Sequence, residues 1–201
     1  MRQFLDRRPI LVALAGPNGA GKTTFYQAHL KPSSLRFLNP DLLAQALGLQ
    51  PKDAARAMAA LRRELVKQRE SFVFETVFSD PVGDKLSFLK EAEKSGYTVV
   101  LCFIGLAGSE TSEERVAMRV SQGGHDVPPE KLIARFPRTM ANLQTAIRDL
   151  SHVWIFDNED LWTPFRKVAV FEQGKPLYLS KPAPKWLASL LPKLPKPTTR
   201  P

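Results

Sequence analysis

Two kinds of hydrophobic pattern alternate along this chain. The first is the short run without polar interruption: Ile10–Ala15, a weaker Arg36–Leu38, Phe72–Phe74, Val99–Ile104 and Val153–Phe156. Continuous apolarity at strand length predicts strands covered on both faces. The second is helical spacing. Ala54, Met58, Leu61 and Leu65 recur at steps of four, three and four, and Leu132, Phe136, Met140, Leu143, Ile147 and Leu150 do so over a longer segment. Pro137 lies inside that segment and lacks a backbone donor, which predicts a kink. Another helix is expected to open at Pro81 and to end near Gly96, a residue suited to a left-handed cap.

Strands separated by helices form right-handed βαβ units. The predicted fold is therefore α/β, a parallel sheet of about five strands with helices on both faces. Beyond Phe156, Lys167–Phe171 and Pro176–Leu179 flank Gln173-Gly174-Lys175 and predict a C-terminal hairpin. In such a sheet, ligands collect beyond the carboxyl ends of the strands.

Composition narrows the picture. A chain of 201 residues with 43% hydrophobic content supports one folded domain, expected over residues 1–179, followed by a tail over 180–201. The net charge of +9 is unevenly spread: Lys181, Lys185, Lys193, Lys196 and Arg200 carry more than half of it, with no acid among them. That basic, proline-rich tail reads as a partly disordered solubilising end. The alternative is that Trp186, Leu187, Leu190, Leu191 and Leu194 form a short amphipathic turn that packs back on the body. The modest charge of the body suits binding of nucleotides or other small polyanions. No basic groove interleaved with aromatics is visible in it, so nucleic acid ranks last among partners. Cys102 is the only cysteine and cannot form an internal disulfide, and no apolar run reaches membrane length. A cytoplasmic protein without a membrane partner is expected.

The densest chemical signal is Gly16-Pro17-Asn18-Gly19-Ala20-Gly21-Lys22-Thr23, followed by Thr24. It fits G-x-x-x-x-G-K-[ST] at every fixed position, after a predicted strand and before a predicted helix. Its glycines let backbone N–H groups wrap phosphates, Lys22 is expected to reach the β- and γ-phosphates of ATP, and Thr23 to ligate Mg²⁺. A P-loop NTPase fold follows. Asp80-Pro81-Val82-Gly83 matches the D-x-x-G of GTPases, but no N-K-x-D accompanies it. Small size and arginine-bearing later helices favour a small-molecule kinase.

Two acids fall at strand ends. Asp41 follows the second predicted strand, and Glu75 ends the third. A kinase needs a carboxylate to take or orient the acceptor proton, and often another near Mg²⁺. Asp41 is equally suited to cap the helix Leu42–Leu47. Glu75, after Phe72-Val73-Phe74, is costly to bury without a purpose. Thr76 beside it either bonds substrate or shapes the turn. Arg115 and Arg119 share a helix face, and Arg135 and Arg138 follow on the next helix. Guanidinium groups suit a transferring phosphoryl group. All four would also fit a solvated surface; Arg119 and Arg135 are the expected catalytic pair, and Arg115 and Arg138 are left open.

Taken in order, Gly16–Thr24, Asn39-Pro40-Asp41, Phe74-Glu75-Thr76, Arg115–Arg119, Gly123-Gly124-His125-Asp126-Val127-Pro128, Arg135 and Phe156-Asp157-Asn158 resemble the zeta toxin family of kinases. The resemblance covers roughly residues 10–158. It implies ATP- and Mg²⁺-dependent phosphorylation of UDP-N-acetylglucosamine, and it admits an antitoxin partner. By that likeness Asp41 is the base, Glu75 holds substrate or metal, and Arg119 clamps the γ-phosphate. The sequence departs from the family pattern twice. His125 stands near a position where a second arginine is expected, so His125 or Arg135 would take over there. Glu75 is followed directly by Thr76 and Val77 instead of Gly-Thr. Both departures lie on the acceptor side.

Overall fold

The computed structural model describes residues 6–123 and 126–191. Its centre is one seven-stranded sheet. In chain order the elements are β1 (Ile10–Ala15), α1 (Lys22–Phe25), β2 (Arg36–Leu38), α2 (Pro40–Leu47), α3 (Pro51–Lys67), β3 (Phe72–Thr76), α4 (Asp84–Lys94), β4 (Thr98–Gly105), α5 (Ser109–Ser121), α6 (Pro129–Asp149), β5 (His152–Asp157), β6 (Arg166–Glu172), β7 (Lys175–Leu179) and α7 (Lys185–Ala188). The strand order is β2-β3-β1-β4-β5-β6-β7. The five strands expected from the apolar runs are parallel. The hairpin β6–β7 adds to the same sheet, antiparallel along β5.

Both faces of β1 are covered, which is why its sequence shows no alternation. Leu11, Ala13 and Ala15 enter one core with Met58, Leu65, Leu89, Leu143 and Ile147 from the helices. Ile10, Val12 and Leu14 enter the other with Phe25, Tyr26 and Leu30. The helical stripes on α3 and α6 supply the first of these cores through Met58 and Leu65, and through Leu143 and Ile147, whereas Leu132 packs with Val116 and Val127 in a separate small cluster. The helix α6 runs without interruption through Pro137. Thr139 breaks the apolar stripe yet is fully buried, because its hydroxyl donates to Val77 O at 3.0 Å.

The start of α4 differs from expectation. Pro81 lies in a turn, and α4 starts only at Asp84. Gly83 adopts a left-handed conformation there, with φ 72°, and Asp80 Oδ2 accepts from Lys85 N at 3.3 Å. The expected end is met: Gly96 has φ 83° and its N–H donates to Glu93 O at 2.9 Å.

The first part of the expected tail packs back on the body. Trp186 and Leu187 are buried. The Trp186 Nε1–H donates to Asp157 Oδ1 at 2.8 Å, and its ring lies so close to Gly105 that any side chain there would collide with it. Apolar burial and a satisfied indole donor together hold α7 on the sheet. Residues 192–201 lie outside the described residues, Lys193, Leu194, Lys196 and Arg200 among them.

β1 lies between β3 and β4, and the chain order reverses across it. This switch point opens a crevice at the strands' carboxyl ends. Loop 16–21 leaves β1 directly into that crevice.

Candidate active site

The loop Gly16–Gly21 can pass through its path only with glycine at its tightest points. Gly16 has φ 147°, and a Cβ there would collide with the Ile104 carbonyl. Gly21 has φ 83°, and a Cβ there would lie 2.8 Å from Asn158 Nδ2. Neighbouring elements clamp the loop from outside. Ser112 Oγ donates to Asn18 O at 2.7 Å, and Asn158 Nδ2 donates to Ala20 O at 3.0 Å. Asn158 Oδ1 in turn accepts from Phe165 N at 3.2 Å. Pro17, Gly19 and Ala20 complete the loop, with Ala20 N donating to Pro17 O.

Lys22 opens α1 and folds back over the loop. Its Nζ donates to Gly16 O at 3.1 Å and Pro17 O at 2.9 Å, and lies 3.9 Å from Glu75 Oε1. Burial pushes its pKa down, while the carboxylates of Glu75 and Asp41 act in the opposite direction and Arg119 adds to the lowering. The ammonium is thus held among oxygens, with few waters to stabilise it. Thr24 is exposed on α1.

Glu75 is the hub of the site. The register of β3 against β1 pairs it with Leu14, one residue before the strand end. Its Oε2 accepts from Thr23 Oγ1 at 2.8 Å and from Asn39 Nδ2 at 2.9 Å. Asn39 also decides the role of its neighbour. Its Oδ1 accepts from Asp41 N at 2.8 Å and Leu42 N at 3.1 Å, so Asn39 is the N-cap of α2. The helix begins at Pro40, not Leu42, and Asp41 does not cap it. That alternative for Asp41 is removed, and its side chain is exposed toward the crevice.

Two cavities share Asp41 and Glu75 as walls. The larger, about 670 Å³, is also lined by Thr23, Asn39, Gln45 and Arg119. The smaller, about 370 Å³, is lined by Asn18, Arg62, Thr76 and Arg135 as well. Of the four arginines, Arg119 and Arg135 reach the cavities. Arg115 does not: its Nη2 donates to Glu159 O at 2.9 Å and its Cβ abuts Gly19. Arg138 is exposed on α6. Thr76 Oγ1 accepts from Phe78 N at 3.0 Å and so shapes the turn after β3 while bordering the smaller cavity. His125 lies outside the described residues. Cys102 is buried in β4 and lines neither cavity, and burial pushes its thiol up to about 12, which suits an inert core residue.

The residues fit a nucleotide and a hard divalent cation. The loop can approach phosphates closely because its tight points carry no Cβ, and Asn18 Oδ1 is buried without a hydrogen-bond partner among the described residues. Thr23 Oγ1 and Glu75 offer oxygen donors of the kind Mg²⁺ takes. Among the described residues no group of three or more His, Cys, Asp or Glu could hold a metal, so substrate phosphates and water would complete such a shell. Three residues support the site from outside the expected catalytic set: Asn39 and Asn158, which stand in the motifs that carry the family resemblance but have no role assigned by it, and Ser112, which no motif marks. Asn before Pro at a helix start was a legible capping signal. Ser112 and Asn158 act through long-range contacts that no local pattern announces.

No curated protein of known sequence matches the chain significantly. Similar solved structures share its fold. The complex of AvrRxo1-ORF1 and AvrRxo1-ORF2 with ATP matches at 18% identity, over 98% of this chain and 68% of the matched one, with TM-score 0.61. The PezAT toxin-antitoxin system of Streptococcus pneumoniae matches at 16% identity, over 94% and 79%, with TM-score 0.56. The Pnkp1/Rnl/Hen1 RNA repair complex matches at 17% identity over 69% of this chain and 46% of the matched one, with TM-score 0.55. Identities this low establish the P-loop kinase fold and nothing finer. Among the described residues, no helix is long and apolar enough to cross a membrane. A model of the zeta toxin family matches residues 2–166, which takes in the phosphate loop, both carboxylates and both arginine-bearing helices, and by that match the chain belongs to the zeta toxin family.

Proposed function

We propose that this protein is a cytoplasmic ATP- and Mg²⁺-dependent kinase that transfers the γ-phosphate of ATP to a hydroxyl of a UDP-amino sugar such as UDP-N-acetylglucosamine. One observation carries the reading: Asp41 and Glu75 form a common wall between two cavities, one bordered by Thr23 and Arg119 and the other by Thr76 and Arg135. A phosphate donor and a hydroxyl acceptor need that adjacency.

In this reading loop 16–21 and Lys22 hold the donor phosphates, and Thr23 with Glu75 holds the cation. The cation supplies charge neutralisation at the phosphates when bound. Asp41 accepts the proton of the acceptor hydroxyl as its oxygen forms a bond to the γ-phosphorus. The bond from that phosphorus to the β–γ bridging oxygen breaks, and ADP leaves. Arg119 and Arg135 stabilise the charge that spreads over the transferring oxygens. Thr76 and His125 are assigned to the acceptor. By likeness to the PezAT system, an antitoxin is the proposed protein partner.

The test incubates purified protein with ATP and Mg²⁺ and with UDP-N-acetylglucosamine, a metabolite extract, or a 5′-hydroxyl oligonucleotide. A product heavier by one phosphate is expected from the sugar nucleotide. Its absence, beside clear phosphorylation of another metabolite or of the oligonucleotide, overturns the acceptor assignment. Arg119→Ala tests the clamp separately. It should lower kcat by about 100-fold while raising the KM for ATP much less, the signature of an interaction made in the transition state. An effect confined to KM removes the clamp.

A further inference from the structure

The smaller cavity holds a guanidinium that a neutral hydroxyl acceptor does not require. Arg62, Lys85 and Arg135 line it, beside Asp41 and Glu75. Two of the neighbouring acids are already engaged. Asp80 is held by Lys85, with Nζ to Oδ1 at 3.6 Å, and Glu75 by Thr23, Asn39 and Lys22.

Arg62 is differently placed. Its guanidinium lies 4.8 Å from the centre of the Phe74 ring and 5.8 Å from that of Phe88. No carboxylate among the described residues lies within ion-pair distance of it. Glu64, two residues along α3, is engaged by Lys67 and Gln68. Asp84 borders an adjoining recess with Arg62, Arg63 and Lys85, without pairing with Arg62. Burial, and then the like charge of Arg63, lower the Arg62 pKa. Stacking on aromatic faces fixes the plane of a guanidinium and leaves its N–H edge for a planar or tetrahedral anion. A cavity of about 370 Å³ is in the range that holds small ligands.

We infer that Arg62 is a specificity-determining residue that grips an anionic group of the acceptor, a phosphate or a carboxylate, while the acceptor's hydroxyl faces Asp41. The inference rests on the kinase reading for the word acceptor, but the anion site itself does not need turnover. Arg135 supplies further positive charge around the same group, while Lys85 is held by Asp80. A neutral acceptor would leave Arg62 half-buried without an anion.

The test measures binding by ligand-observed NMR titration, with the full chain saturated by β,γ-imido-ATP and Mg²⁺ so that the phosphate loop is filled. Three probes share one ring and differ in the head group: phenylphosphonate, benzoate and benzamide. Wild-type protein should prefer at least one anion to benzamide. Arg62→Met keeps a stem over Phe74 and Phe88 and should weaken that anion by about tenfold or more, with benzamide unchanged. Melting temperature and imido-ATP affinity check the fold. Should the methionine variant fail to fold, Arg62→Lys decides. It keeps the charge, loses the fork, and should weaken the anion by about threefold or more. The stronger of the two anions identifies the head group. No preference for an anion in the wild type, or wild-type anion binding in the folded variants, overturns the inference. Failure of the kinase reading would show elsewhere, as absent phosphate transfer in every acceptor assay.

Discussion

Lys22→Ala is expected to cut phosphoryl transfer by about 100- to 1,000-fold or more, with the fold left intact. Lys22 is 6% exposed, and its ammonium is held by Gly16 O, Pro17 O and Glu75. Burial is the largest influence on it and works against the charged form. Truncation removes a charge that was costly to bury, but it also leaves the Glu75 carboxylate without its cation and two carbonyls without their donor, so a loss of about 1–3 kcal/mol is expected with the fold retained. The catalytic loss is larger, because the same ammonium would leave the carbonyls for phosphate oxygens and strengthen its hold as charge develops on them. Radiolabelled ATP and a thermal melt test the two halves of the prediction together. Near wild-type transfer by the variant would remove Lys22 from the machinery. If the protein acts as a toxin, its expression should slow bacterial growth and expression of Lys22→Ala should not. Equal growth would remove the toxic role and leave the kinase reading standing.

How much of this was legible in the sequence depended on the range of the interaction. The strands Ile10–Ala15 and Val99–Ile104 were visible because burial on both faces demands unbroken apolarity, and that demand is local. The phosphate loop was visible because left-handed turns beside a helix start require glycines at fixed steps. The start of α4 was misplaced at Pro81, because proline opens helices only where the residues before it can turn the chain. Here Gly83 and the Asp80 carboxylate do that work three residues later. The union of the hairpin with the main sheet could not be read locally. It depends on the pairing of β6 with β5, from His152 against Glu172 to Asp157 against Arg166.

The same divide runs through the site. Glu75 was conspicuous as an acid at the end of an apolar strand. Its partners were less visible, since Thr23 and Asn39 are 52 and 36 residues away in sequence. Asn158 reaches the loop across 138 residues, and its side chain joins the loop to Phe165. Sequence spacing identified candidate groups, whereas parallel strand register brought them to one crevice. Pairing Leu14 with both Glu75 and Cys102 aligns three strand ends, and this alignment sets the phosphate loop beside the carboxylate.

Asp41→Asn is the sharper test of chemistry, because the structure separates its two roles. Asn39 caps α2, so Asp41 is dispensable for the helix start. It remains in the first turn, where a carboxylate interacts favourably with the helix dipole. Loss of that interaction costs about 0.3–1 kcal/mol, a shift of roughly 1–4 °C in melting temperature for a chain of this size. As the base, Asp41 should contribute far more to rate: asparagine is close in shape but cannot accept the proton, and kcat should fall by about 100-fold or more. A confounding route exists through Lys22, since the Asp41 carboxylate favours the charged form of that ammonium. Its removal by that route would weaken ATP binding together with turnover. The KM for ATP therefore separates the cases. A fall in kcat with an almost unchanged KM assigns Asp41 to the proton. Matched changes in both assign it to support of Lys22. A stable variant with full activity eliminates the catalytic role and leaves Glu75 as the remaining carboxylate able to face the acceptor.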